Sequence, residues 1–230
     1  MDQMYLDGKY KASNPSWHEE DAPWKADHIH AILTDNGVRF RTVAEVGCGT
    51  GEILVRLGER NPGATLTGYD ISPQAYEMAV ENSGPRLSFH LKDALQETDA
   101  DFDVVIVADV IEHVEDYIGF VRKTKALGRY KVFHIPLDLS VQSLVRMWPI
   151  LRLREDVGHI HYFTRDTALA LLRDCGYRIL DSRYTASRLE LPNQATTSKV
   201  IAPLRRTFHR LRPDLAVRVL GGYSLLVLAE

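Results

Sequence analysis

Residues 43–51 read Val43-Ala44-Glu45-Val46-Gly47-Cys48-Gly49-Thr50-Gly51, with three glycines at alternate positions directly after an apolar run. That run, residues 42–46, has the length of a buried strand, and an amphipathic segment at residues 52–60 follows the glycines. Glycine accepts a positive φ and has no Cβ, so backbone at the turn can approach a ligand closely. The stretch therefore predicts a strand, a tight turn and a helix at the ligand-binding edge of an α/β sheet.

The spacing of the glycines limits which ligands the turn can bind. A dinucleotide fingerprint is G-x-G-x-x-G, whereas Gly51 comes one residue early here and Glu52 stands in its place. Glu45 lies just before the turn, where a carboxylate repels a pyrophosphate and attracts a cationic group. Asp70 ends the next apolar run, where an acid commonly binds a ribose diol. The pattern favours a nucleoside that carries a cationic tail and no phosphates.

The motif E-x-G-x-G-x-G at residues 45–51, followed by Asp70, resembles the class I S-adenosylmethionine-dependent methyltransferases. Asp93-Ala94 and residues 102–115 extend the resemblance, which covers about residues 40–184 and the last strand. It implies an α/β fold with a doubly wound, mostly parallel seven-stranded sheet, a Rossmann-like methyltransferase fold with helical insertions. It also implies S-adenosylmethionine as the cofactor and S-adenosylhomocysteine as the product.

Hydrophobic periodicity predicts strands that alternate with helices, as expected for right-handed crossovers in a mainly parallel sheet. The predicted strands are residues 42–46, 64–69, 87–91, 103–108, 130–135, 177–184 and 223–229. Asp21-Ala22-Pro23 and Ser72-Pro73 predict helix starts, with Asp21 and Ser72 as the capping residues. The predicted domain organisation is an N-terminal lid or helix at residues 1–36 and a cofactor-binding domain at 37–230, with insertions at 137–157 and 185–222.

Composition indicates an ordinary globular protein. The 230 residues are 45% hydrophobic with a net charge of −3, so no overall attraction to nucleic acid or anionic membrane is expected. The two cysteines, Cys48 and Cys175, lack metal-knuckle spacing and suit a reducing compartment. Residues 1–10 lack a signal-peptide pattern, and no apolar run is long enough to span a membrane. We therefore expect a cytoplasmic protein.

The resemblance assigns most cofactor contacts to the ends of the strands. It implies that Asp70 holds the ribose, that Ile71 packs on adenine and that Asp93 accepts from the adenine amino group. Each aspartate could instead cap the turn or helix that follows it. The predicted cofactor-binding residues are Glu45, Gly47, Cys48, Gly49, Gly51, Asp70, Ile71, Asp93, Ala94 and Asp109.

Histidines near the strand ends are the candidate catalytic residues, because transfer to a hydroxyl benefits from a general base and histidine titrates near neutral pH. His113 follows the fourth strand, beside the expected position of the transferable methyl group. His159 and His161 precede a predicted helix, with one facing the pocket and the other supporting the loop. His134 is more typical of a core histidine, and Glu112-His113 could simply cap a helix.

A metal site is a weaker alternative. Asp109, Glu112 and His113 resemble the E-x-x-E-H metal site of some small-molecule and RNA-end O-methyltransferases, and such oxygen-rich ligands suit Mg²⁺. Asp109 stands where that motif has its first glutamate. Its side chain is shorter, which disfavours binding of Mg²⁺. The chain has no N-P-P-[YF] or D-P-P-Y sequence after the fourth strand, which argues against amide and exocyclic-amine acceptors.

Segments outside the sheet are candidates for substrate contacts. Aromatic and histidine side chains near the N-terminus predict a lid over cofactor and acceptor, and Trp148 lies in the first insertion. The lid and substrate residues predicted are Tyr10, Trp17, His18 and Trp148. Basic amphipathic segments in both insertions, including residues 199–212, favour a cover over an anionic substrate; peripheral membrane contact and a solvated face remain alternatives. Stacking aromatics are missing there, which disfavours nucleic acid.

The predicted function is transfer of a methyl group from S-adenosylmethionine to a small molecule. Oxygen is favoured over nitrogen as the acceptor atom, and secondary-metabolite or glycan tailoring is favoured over nucleic acid. Two alternatives belong to other classes: a non-catalytic S-adenosylmethionine-binding regulatory partner, and an NAD-dependent oxidoreductase.

Overall fold

The computed structural model describes residue 17 and residues 19–98, 100–186, 190 and 196–230. Its sheet consists of β1 (Thr42–Val46), β2 (Thr65–Asp70), β3 (Leu87–Leu91), β4 (Phe102–Ala108), β5 (Gly128–Pro136), β6 (Ile179–Thr185) and β7 (Ser224–Ala229). The strand order is β3-β2-β1-β4-β5-β7-β6. β7 runs antiparallel to β5 and β6, and the other neighbours pair in parallel. The predicted doubly wound, mostly parallel seven-stranded sheet is confirmed.

Helices cover both faces of this sheet. They are α1 (Ala22–Asp35), α2 (Glu52–Arg60), α3 (Pro73–Val80), α4 (Tyr117–Thr124), α5 (Val141–Arg146), α6 (Trp148–Asp156), α7 (Arg165–Asp174), α8 (Thr196–Leu211) and α9 (Pro213–Leu220). Within the described residues, none of these helices is both long enough and apolar enough to cross a membrane.

The core lies on both sides of β4. Val104 and Ile106 belong to the buried cluster that includes α1 and α2, whereas Val105 and Val107 belong to the cluster that includes α4 and α7. Successive side chains of a strand point to opposite faces, so a strand covered on both faces needs apolar residues at every position. This is why β4 is a continuous run of valine and isoleucine.

The centre of β4 offers a test of this packing. Replacing Ile106, which is fully buried, by valine removes one methylene and is expected to lower the free energy of unfolding by about 1 kcal/mol. Urea unfolding should show a lower midpoint with an unchanged slope. Val145→Ala is the control, because Val145 is 81% exposed; an equal loss of stability in both variants would contradict this account of the core.

Two predicted helix starts behave differently. Ser72 caps α3 as predicted, since its hydroxyl accepts from the N–H of Ala75 and Pro73 follows. Asp21 was expected to cap α1 in the same way, but its side chain makes no capping bond. The short 3-10 turn Glu19–Asp21 runs directly into α1, so Asp21 has helical backbone angles instead of the extended ones that capping residues usually adopt.

The N-terminal helix is part of the core. Ala26, Ile29 and Ile32 of α1 are fully buried in the cluster that also contains residues of β1, β4 and β7. Residues 22–35 therefore pack on the sheet, and the domain boundary after residue 36 stays a prediction.

The insertion at residues 137–157 is broken into two short helices. Met147 separates α5 from α6 with a φ of 57°, and Pro149 in the first turn of α6 has no N–H with which to continue α5. Four apolar side chains that recur at helical spacing in this insertion are largely exposed: Val141, Leu144, Val145 and Trp148.

Candidate active site

A cavity of about 1030 Å³ opens at the carboxyl ends of four parallel strands. Its lining includes Glu45 and Gly47 after or within β1, Asp70 in β2, Asp109 after β4 and Asp138 after β5. The strand order reverses between β1 and β4, and open α/β sheets bind their ligands at such a switch point.

The glycine turn forms one wall of this cavity. Gly47, Gly49 and Gly51 have φ values of 70°, 55° and 77°. A Cβ on Gly47 would lie 2.7 Å from Val110, and one on Gly51 would lie 2.3 Å from the Phe89 ring. No described atom lies within 4 Å of a Cβ placed on Gly49. Two of the glycines are thus required by packing, and the third leaves space beside the cavity.

Asp70 ties the glycine turn to the end of β2. One carboxylate oxygen accepts from the N–H of Gly49 at 2.8 Å and the other from the N–H of Ser72 at 2.8 Å. Burial raises the pKa of Asp70, and these backbone donors oppose the shift. Each oxygen retains a second lone pair for a ligand hydroxyl. Ile71, the next residue, is 42% exposed and lines the cavity.

Glu45 is a buried carboxylate below the turn. It is 1% exposed, and its Oε2 atom has no hydrogen-bond partner in the part of the chain that the structure describes. Burial raises the pKa of Glu45 well above its ordinary value. Burial also raises the pKa of the neighbouring Cys48 thiol. A cationic ligand group would compensate the buried oxygen of Glu45.

Asp109 is held by two side chains. It has a φ of 54°, and its oxygens lie 2.7 Å from Nδ1 of His134 and 2.7 Å from Nζ of Lys25. Burial opposes ionisation, but His134 and Lys25 hold the pKa of Asp109 well below its usual range. Nε2 of His134 lies 2.9 Å from the hydroxyl of Thr185, so His134 bridges β4, β5 and β6 as a buried histidine.

The turn after β4 brings a carboxylate and two imidazoles together. Nε2 of His113 lies 3.8 Å and Nε2 of His159 lies 4.0 Å from Oε1 of Glu112. The two rings meet edge to face with their centroids 4.9 Å apart. Burial and the nearby Asp109 raise the pKa of Glu112 well above its ordinary value. All three residues line the cavity.

Backbone and side-chain hydrogen bonds orient this cluster. Nδ1 of His159 lies 2.7 Å from a carboxylate oxygen of Asp138, and Nδ1 of His113 lies 3.1 Å from the carbonyl of Gly158. The carbonyl of Glu112 accepts from the N–H groups of Ile160 and His161. Hydrogen bonds thus hold the segment around residue 159 against the turn after β4.

Four of the predicted site residues that the structure describes lie away from this cavity lining. His161 packs on the ring of Tyr117, with centroids 4.3 Å apart. Asp93 accepts from the N–H of Leu95 and caps a short turn, and Ala94 is buried beside it. The roles predicted for His161, Asp93 and Ala94 stay predictions. Gly51 also lies outside the lining, where it packs under the turn.

The predicted lid falls partly outside the described residues, since Tyr10 and His18 lie there. Trp17 and Trp148 both line the cavity.

Sequence reasoning missed Lys25 and Asp138. Asp138 follows the fifth strand, and an acid at that strand end is a signal that could have placed it. Lys25 carries no such signal, because only the packing of α1 on the sheet brings it to Asp109.

A doubly wound sheet with a glycine turn at its switch point, an acid ending β2 and a buried carboxylate under the turn are the features of a class I S-adenosylmethionine-dependent methyltransferase. Residues 17–182 match the family model described as "Methyltransferase domain". The chain belongs to this family.

Relatives and solved structures agree with that assignment. A ubiquinone biosynthesis O-methyltransferase from Actinobacillus pleuropneumoniae is 28% identical over 144 residues, 55% of this chain and 60% of that protein. A trans-aconitate 2-methyltransferase from Streptomyces coelicolor is 46% identical over 81 residues, 32% of this chain and 27% of that protein. The plantazolicin methyltransferase BpumL in complex with SAH has a TM-score of 0.58 at 16% identity, covering 97% of this chain and 88% of that one.

These matches have limits of coverage and identity. The chain spans about 60% of the length of the first of these relatives. The likeness to BpumL, at 16% identity, shows the shared fold.

The family implies S-adenosylmethionine as the cofactor, and the residues present fit it. The unpartnered oxygen of Glu45 suits a cationic group, and the space beside Gly49 admits a ligand close to the backbone. Asp70 keeps lone pairs for ribose hydroxyls. The N–H of Gly49 donates to Asp70.

Proposed function

We propose that this protein transfers a methyl group from S-adenosylmethionine to a hydroxyl oxygen of a small-molecule acceptor. The observation that carries the proposal is the position of the Glu112–His113–His159 cluster. It lines the same cavity as the glycine turn and Asp70, so a proton acceptor stands beside the cofactor crevice.

The cofactor half of the cavity would be formed by the ends of β1 and β2. Asp70 would accept from the ribose hydroxyls, Ile71 would pack on the adenine, and Glu45 would face the cationic end. S-adenosylmethionine, when bound, supplies an electrophilic methyl group on a sulfonium. The protein's task is then to align the acceptor with that methyl group and to exclude water.

The acceptor half would be formed by the insertions. Trp148 and Ile150 of α6 line the cavity together with Tyr223, just before β7. Aromatic and aliphatic walls with a few polar groups are typical of small-molecule pockets. This composition supports a small organic acceptor.

The Glu112–His113–His159 cluster favours oxygen over nitrogen as the acceptor atom. An amine reacts through a neutral lone pair, whereas a hydroxyl becomes a good nucleophile only as its proton leaves. His113, in the turn after β4, and His159, in the segment before α7, both line the cavity, where such a proton can be accepted. Asp138 holds Nδ1 of His159 and would stabilise the imidazole as it gains charge.

The names of the relatives suggest acceptors to try. One relative acts in ubiquinone biosynthesis and another on trans-aconitate. We propose a secondary metabolite or a glycan precursor with a hydroxyl oxygen as the class of acceptor for this chain.

Release of S-adenosylhomocysteine from purified protein tests the proposal. The acceptor panel is a catechol, trans-aconitate, a free sugar and a primary amine, each with S-adenosylmethionine. Turnover with a hydroxyl acceptor, the catechol or the sugar, is expected, and turnover with trans-aconitate alone would replace the hydroxyl by a carboxylate oxygen. Turnover with the amine alone would overturn the choice of atom, and cofactor binding without turnover across a wider panel would support the non-catalytic alternative.

Arg146 lies at the wall of the cavity and provides a test for an anionic acceptor. Arg146→Gln is expected to raise KM for an acidic acceptor about tenfold with kcat little changed, because a hydrogen bond to a charged group contributes about 1.5–3 kcal/mol. Arg154→Gln, an exposed position on α6, is the control. Equal KM values in both variants would show that Arg146 does not bind the acceptor.

A peripheral membrane contact and a cytoplasmic location stay predictions. The exposed apolar side chains of α5 and α6 are the surface on which such a contact would rest. Mg²⁺ bound by Asp109, Glu112 and His113 gains no support from the geometry, since Asp109 is held by Lys25 and His134.

A further inference from the structure

Glu112 is a buried carboxylate in the lining of the cavity. Its side chain is 0% exposed, and neither carboxylate oxygen has a hydrogen-bond partner among the described residues. Burying a carboxylate without a partner is costly unless a proton or a cation compensates it. The ammonium group of Lys25 is near Glu112, but it is paired with Asp109, since its Nζ lies 2.7 Å from that carboxylate. The two oxygens of Glu112 are therefore available either to a proton or to a bound cation, and the groups around them decide between the two.

Two imidazoles stand around this carboxylate. Nε2 of His113 and Nε2 of His159 lie 3.8 Å and 4.0 Å from Oε1 of Glu112, and one ligand atom from each residue falls within 4.8 Å of the others. Tetrahedral bonds of about 2.0–2.1 Å place ligand atoms roughly 3.3 Å apart. The side chains would move inward by roughly half an ångström to one ångström on binding.

The hydrogen bonds behind the imidazoles select the correct tautomer. A carbonyl and a carboxylate can only accept, so Nδ1 of His113 donates to Gly158 and Nδ1 of His159 donates to Asp138. In a neutral imidazole, a protonated Nδ1 leaves Nε2 as the lone-pair atom. Metal-bound histidines are held by outer carbonyls and carboxylates in this way.

We infer that Glu112, His113 and His159 bind one divalent transition-metal ion of the zinc type. Three protein ligands with an open position are typical of catalytic zinc sites, and imidazole nitrogen favours such ions over Mg²⁺. The ligand set differs from the one that the sequence suggests, because His159 takes the place of Asp109.

The three side chains line the cavity, and a catalytic use of the ion rests on the proposed function. The ion, when bound, would lower the pKa of an acceptor hydroxyl, as it does for metal-bound water, so that the proton passes to water more readily. The oxygen lone pair of the acceptor would then form the new O–C bond, and the electrons of the broken C–S bond would pass to sulfur. His113 and His159 would hold the ion and would not themselves accept the proton.

Calorimetric titration tests the site without any acceptor. Chelator-treated and dialysed protein is titrated with ZnCl₂, and separately with MgCl₂. One Zn²⁺ per chain is expected, with little heat from Mg²⁺. Glu112→Gln and His159→Asn are expected to lose the binding, and Asp138→Asn to weaken it by about 10–100-fold. His90→Gln, an exposed histidine on β3, is the control and should bind as the parent does.

The outcomes separate the site from the proposed function. Absent Zn²⁺ binding, or binding unchanged in Glu112→Gln, overturns the site and leaves the histidines as general bases. Binding that depends on the cluster supports the site even where no acceptor is turned over. Circular dichroism and S-adenosylmethionine binding of each variant confirm that loss of Zn²⁺ is not loss of fold.

Discussion

Replacement of Asp70 by alanine is expected to weaken S-adenosylmethionine binding by at least about a hundredfold. The change removes the carboxylate expected to accept from the ribose hydroxyls, and hydrogen bonds to charged groups contribute about 1.5–3 kcal/mol each. It also releases the N–H groups of Gly49 and Ser72, so the glycine turn loses its anchor to β2. Calorimetric titration with S-adenosylmethionine measures the loss.

The matched control for this variant is Asp116→Ala. Asp116 likewise accepts from a backbone N–H, that of Gly119, but caps α4 at an exposed position outside the cavity lining. Its loss is expected to cost stability and to leave cofactor affinity within a fewfold range. Equal affinities for the two variants would mean that Asp70 has no direct part in binding the cofactor.

The second large effect is expected at His113. His113→Gln is expected to reduce kcat by about 10²–10⁴-fold, the usual contribution of a positioned proton-transfer group, whether the ring accepts the proton itself or holds the ion that promotes its loss. The affinity for S-adenosylmethionine should change less than about threefold, because the turn at residues 47–51 and Asp70 do not depend on this ring. Steady-state kinetics with an acceptor from the panel and calorimetry with the cofactor separate the two quantities.

His90→Gln is the control for the loss of a histidine as such, since His90 lies on β3, an edge strand of the sheet. A His113 variant with parental kcat would remove the cluster from the mechanism. A variant that loses cofactor binding together with turnover would show that the turn after β4 supports the cofactor crevice.

The sheet could be predicted from the sequence because its signals are local. β4 is a continuous apolar run, and the glycine turn follows β1 directly, so neither depends on distant residues. The starts of the helices were predicted less reliably than the strands. Ser72-Pro73 and Asp21-Ala22-Pro23 look alike, but the 3-10 turn before α1 removes the extended geometry that Asp21 needed for capping.

The site was predictable only where the fold itself brings residues together. Asp70 and Glu45 flank the glycine turn, so adjacent strands place them side by side. His159 and His161 are two positions apart in an extended segment, and their alternation alone does not tell which one faces the cavity. Lys25 and Asp138 meet their partners through contacts between distant segments, which no spacing in the chain encodes.

The place of β7 in the sheet has a consequence for synthesis on the ribosome. β7 lies between β5 and β6 and pairs with both, although it follows β6 along the chain. β6 therefore has no neighbour on the nascent sheet until β7 has left the exit tunnel. During that interval the unpaired edge of β6 and the apolar side chains of α7 are exposed. Delayed collapse of the chain or a chaperone is then needed to keep them from aggregating.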